Sequence, residues 1–158
     1  MTICRLVVVW LKKSSVNIFN QVITCEFCIE IIYKIVTMAI SFESFCKNNV
    51  LFVKATGKDD SVEDVLAYGQ AIILEALKNE CWKVLCDETE LEYAIGTIDL
   101  YATAQAISEN APRIAQVAIV FNEKFTADAL FWETVAVNRG LRVKFFKTMP
   151  EAEKWLLL

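Results

Sequence analysis

From Val62 to Leu77, apolar residues recur at i, i+3, i+4 and i+7: Val62, Val65, Leu66, Gly69, Ile72, Ile73, Ala76 and Leu77. That is the one-sided stripe of an amphipathic helix. Ser61 stands before it with Asp64 three residues on, a capping-box-like start. Short apolar runs, Val50–Ala55 and Trp82–Cys86, flank the helix and read as strands. No other feature restricts the fold as much, because strand, helix and strand in succession is the unit of a parallel sheet.

The same alternation continues on both sides. Ile40–Cys46 precedes Val50–Ala55 across Lys47-Asn48-Asn49, which predicts an initial hairpin. After Trp82–Cys86 the sequence predicts an acidic loop, then a helix from Thr97 to about Asn110, stopped by Pro112. Ala115–Phe121 reads as a central strand. A helix from Thr126 to Asn138 ends at Gly140, Leu141–Phe146 is the last strand, and Pro150 sits in the first turn of a closing helix through Trp155. The expected class is α/β, one domain with an initial β-hairpin, then alternating helices and strands around a mixed, largely parallel sheet.

Composition narrows the function classes. With 158 residues, 56% of them hydrophobic, and only four glycines and two prolines, the chain collapses into a core and is not disordered. Sixteen Lys and Arg against twenty Asp and Glu give a net charge of −4, which argues against nucleic acid as partner. The absence of histidine removes the commonest general base and the commonest metal ligand. No metal and no cofactor is expected. The six cysteines, Cys4, Cys25, Cys28, Cys46, Cys81 and Cys86, lie inside apolar runs and are expected to be reduced core thiols in a cytoplasmic protein. Cys25-Glu26-Phe27-Cys28 has C-x-x-C spacing, which without a second ligand pair is taken as chance.

Residues 1–37 differ from the rest. They lack Ala, Gly, Pro and Asp, while all sixteen alanines follow residue 37. The run from Val16 to Val36 is broken by Asn17, Asn20, Gln21, Glu26, Glu30 and Lys34, so no transmembrane segment is expected. Two readings stand: an unusual N-terminal extension, or an upstream region read from a start codon placed too early, with Met38 as the alternative start.

From Met38 onward the sequence resembles the SpoIIAA-like branch of the STAS (anti-sigma-factor-antagonist) domains. The residues that carry the likeness are Val84-Leu85-Cys86-Asp87, Thr97-Ile98-Asp99-Leu100-Tyr101, Phe131 through Gly140 with its Asn138-Arg139-Gly140 end, Val143-Lys144-Phe145-Phe146, and Ala152-Glu153-Lys154-Trp155-Leu156. The likeness spans residues 38–158 and none of 1–37. It implies a non-catalytic regulatory module that works through protein–protein interaction. In signalling members a Ser or Thr opening the second helix accepts a phosphoryl group, and Thr97 is the matching candidate phospho-acceptor. Ile95 and Gly96 precede it here, where those proteins carry Asp. The alternative implied by the likeness is a small-molecule or lipid carrier with an apolar cavity like that of CRAL-TRIO domains.

Two surfaces follow as candidates. Gly96, Thr97 and Asp99, with Glu88, Glu90 and Glu92 ahead of them, form an expected face for an unknown regulatory protein, the three glutamates sharing one side if that segment is extended. The bland alternatives are a solvated acidic loop and a threonine that only caps its helix. The helix at 126–138 and its approach are apolar around most of their circumference, so Phe125, Phe131, Trp132 and Val135 are candidates for a homodimer contact or an apolar ligand, against ordinary packing. Enzyme function ranks last, since no catalytic constellation is recognisable.

Overall fold

The computed structural model describes residues 39–112 and 115–157. The expectations for residues 1–37, including the Cys25–Cys28 pair, lie outside the described residues.

Strands β1 (Ile40–Lys47) and β2 (Val50–Asp59) form the antiparallel hairpin, with Lys47 opposite Val50. Asn48 and Asn49 between them have φ of 52° and 60°, the left-handed pair that matches hairpin twist and that asparagine tolerates. Helix α1 (Val62–Lys78) starts as expected, the Ser61 hydroxyl oxygen accepting from the Asp64 N–H at 3.1 Å. Then follow β3 (Lys83–Tyr93), α2 (Thr97–Asn110), β4 (Gln116–Phe121), a short 3-10 turn at Glu123–Phe125, α3 (Thr126–Asn138), β5 (Arg142–Phe146) and α4 (Met149–Leu157). Gly140 takes φ 90° just past α3, and the Leu141 N–H donates back to the Ala136 carbonyl, which closes that helix.

The sheet order is β1-β2-β3-β4-β5, antiparallel only in the first pair. Three successive crossovers step in one direction, and right-handed connections then place α1, α2 and α3 on one face. The larger core forms between those helices and that face, around Leu51, Val53, Val84, Cys86, Ile119 and Val143. α4 covers the opposite face through Ala152 and Leu156 against Leu85, Ala118 and Val120. Among the described residues no helix is long and apolar enough to cross a membrane.

The acidic segment is not a loop. β3 runs through it to Tyr93, paired with β2 along its length. Charge and turn-like polarity misled the sequence reading, because backbone pairing with β2 satisfies this segment whatever its side chains. The cysteine expectation also changes. Cys46, at the end of β1, is joined to Cys81 ahead of β3 in a disulfide across 35 residues, while Cys86 is free and buried. Only the hairpin fold, which returns the end of β1 toward the start of β3, brings these two sulfurs together.

α3 explains its own apolar circumference. It packs on β5 and against α2, so two of its sides are covered. Trp132 sits edge-on to Phe145 with ring centroids 6.0 Å apart, Val135 is buried, and Phe125 stacks on Tyr93 at 5.1 Å. Phe131 is half-buried, and the outward apolar residues are Leu130 and Val137.

Candidate functional site

β3 carries one residue more than β2 along their shared edge. Lys54 lies opposite Asp87 and Thr56 opposite Glu90, so two steps on β2 match three on β3. Such a bulge reverses which side chains point to which face. Asp87 pins it: its Oδ1 accepts from the Thr89 N–H at 3.1 Å and from the Thr89 hydroxyl at 2.7 Å. Before the bulge, Val84, Cys86 and Glu88 face the three-helix layer; after it, Leu91 and Tyr93 do. Glu90 and Glu92 are exposed, and Glu90 pairs with Lys54 at 2.7 Å. The expectation that Glu88, Glu90 and Glu92 share one side is therefore corrected. Glu88 is turned inward and only 6% exposed.

Inside, Glu88 Oε1 accepts from the Tyr68 hydroxyl of α1 at 3.0 Å, and Oε2 from the Tyr93 hydroxyl at 2.5 Å. Burial raises its pKa above the ordinary carboxylate range, the two tyrosine bonds oppose that, and the neighbouring Asp59 adds to it. Burial likewise raises the Tyr68, Tyr93 and Cys86 values well above normal. Asp59, at the end of β2 opposite Tyr93, accepts from the Ala94 and Ile95 N–H groups through Oδ1. Burial pushes its carboxyl up to about 6 against those two bonds, with Asp128 and Asp60 adding a smaller push.

These groups open on a cavity of about 120 Å³ between the sheet and the helices α1, α2 and α3. Asp59, Glu88 and Asp128 are on its wall with Tyr68 and Tyr93, and the rest is almost wholly apolar, including Ile72, Ile107, Val117 and Trp132. Gly69 lets α1 approach α2 there, since a Cβ at 69 would lie 2.7 Å from Ile107 Cδ1. Of the sequence candidates, Trp132 and Glu88 reach the cavity, and Phe125 stacks against one of its tyrosines. Asp59, Tyr68 and Tyr93 were missed. Asp59 and Tyr93 end parallel strands, where ligands of open α/β sheets bind, and that position was the available signal. No group of three or more Cys, Asp or Glu among the described residues is placed to hold a metal ion.

The second candidate lies outside. Gly96, Thr97, Ile98 and Asp99 are all exposed at the start of α2, Ile98 by 85%. Gly96 is the N-cap and no side chain caps the helix, so Thr97 is its first helical residue and not its cap. The hydroxyl stands at the positive end of the helix. Tyr101, one turn on, is held by Arg139, whose guanidinium stacks 4.7 Å above the ring and donates to the hydroxyl at 2.6 Å.

No family model matches the sequence, and no curated protein matches it. The solved structures do show relatives of the fold. An anti-sigma factor antagonist from Mycobacterium paratuberculosis superposes with a TM-score of 0.56 at 16% identity, over 77% of this chain and 97% of its own. A protein with a SpoIIAA-like fold from Shewanella loihica gives 0.47 at 20% identity, over 75% and 94%. The domain therefore shares the fold of that anti-sigma factor antagonist, the fold its sequence resemblance implies.

Proposed function

We propose that this protein is a non-catalytic regulatory module that binds another protein through the start of α2. The fold it shares with an anti-sigma factor antagonist supports a regulatory role. The observation that carries the surface is the exposure of Ile98, a large apolar side chain 85% open to water, between Thr97 and Asp99 on a helix end with open space around Gly96. An apolar anchor ringed by polar groups is how a docking patch is built. Asp99 is the acidic residue beside Ile98, so the fitting partner presents an apolar pocket with a basic rim.

Thr97 is the natural switch in this reading. A phosphoryl group on it would add roughly −2 charge beside the exposed Ile98, favoured by the helix end and opposed by Asp99 two residues on. The test is capture of partners from the native organism with wild type, Thr97→Ala, Thr97→Glu and Ile98→Asp, the fold being checked by circular dichroism. Ile98→Asp should lose the principal captured protein and Thr97→Glu should change its recovery. An identical captured set for all four proteins contradicts the assignment.

A further inference from the structure

The cavity between β3 and the helices has a chemical character that the outer surface of α2 does not share. Most of its wall is aliphatic or aromatic, it holds three carboxyl groups, Asp59, Glu88 and Asp128, and no Lys or Arg lines it. A cavity of this size in apolar surroundings accommodates a ring or a short alkyl chain. A purely apolar guest leaves these carboxyl groups facing hydrocarbon, which is costly. An anionic guest adds like charge to like. A bare divalent cation needs six or more oxygens converging on it, and no three Cys, Asp or Glu side chains among the described residues are grouped to hold one.

We propose that this cavity binds a small apolar molecule bearing a protonated amine, the ammonium meeting Asp59 and Glu88 and the apolar body lying against Ile72, Ile107, Val117 and Trp132. The polar end is already organised for such a guest. Tyr68 and Tyr93 fix both oxygens of Glu88, each of which keeps a further lone pair for a donor. Both backbone N–H groups bonded to Asp59 go to Oδ1, so Oδ2 takes neither. Ammonium donors would supply the counter-charge that the pair lacks, inside a wall where such attraction is little screened. The apolar end then contributes through area removed from water. The site stands at the carboxyl ends of parallel strands β2 and β3, where open α/β sheets bind ligands. This inference is independent of the partner surface at α2 and survives or fails separately from it.

The experiment is calorimetric titration of the full chain at about pH 7.5 with three probes of similar shape, benzylamine, benzyl alcohol and benzoate. Benzylamine should bind roughly tenfold or more tightly than benzyl alcohol, and benzoate should not bind measurably. Val117→Phe, which fills the cavity, should abolish benzylamine binding. Asp59→Asn keeps the Oδ1 acceptor for Ala94 and Ile95, so it should leave the fold intact while reducing the preference for amine over alcohol. Should Val117→Phe fail to fold, Asp59→Asn combined with Glu88→Gln serves in its place and should erase that preference. The proposal is overturned by equal affinity for amine and alcohol, by no benzylamine binding at millimolar concentration, or by an amine preference that persists in the double variant.

Discussion

The charges that act on Asp59 at the end of β2 are negative, although Lys58 beside it pairs with Asp60 at 3.9 Å. Asp60 lies next to it, Asp128 approaches from α3, and Glu88 from β3, while Tyr68 of α1 and Tyr93 of β3 stay neutral across the ordinary pH range. On the α2 side it meets backbone N–H groups only through Ala94 and Ile95. Its folded pKa of about 6 lies above the unfolded value near 3.8. The folded state therefore holds the proton more firmly, and the stability this supplies is complete below about pH 3.8 and lost as pH rises through 6. Asp59→Asn removes the titration and keeps the acceptor. Its melting temperature relative to wild type should rise by ~3 °C or more between about pH 4 and pH 7. Thermal unfolding of both proteins across that range measures it, and a constant difference contradicts the account.

Elements were more legible in the sequence than the faces they present. The α1 stripe, the Asn48-Asn49 turn and the Gly140 stop encode their structures locally, so reading them needed no knowledge of neighbours. β3 did not, because its acidic half is a strand only by virtue of β2 beside it, and the bulge at Asp87–Glu90 that turns Glu88 inward is a matter of register between two strands. The cavity groups Asp59, Tyr68 and Tyr93 come from β2, α1 and β3, and no local spacing unites them. The Cys46–Cys81 link is tertiary in the same sense. It ties the end of β1 to the entry of β3, and closing a loop of that length stabilises by ~3–4 kcal/mol. Reductant, or Cys46→Ser, should lower stability to chemical denaturation by about that amount. Equal unfolding midpoints with and without reductant would show that the link contributes nothing.

At the scale of the whole described domain, the helical layer has an interior site beneath it and an exterior one at the start of α2. The cavity lies between the sheet and the helices, while the start of α2 remains exposed. We propose that residues 1–37 take no part in either, as their break in composition and their lack of the STAS resemblance suggest. A chain beginning at Met38 should then melt within about 2 °C of the full chain, and a drop of several degrees would show that the first segment packs on the domain. The central claim, that α2 begins in a partner-binding face, is tested most directly by amide hydrogen exchange of the protein with and without the captured partner. Slowed exchange concentrated at residues 95–101 is the predicted result. Unchanged exchange there, with new protection on α4 or along β1 instead, would contradict it.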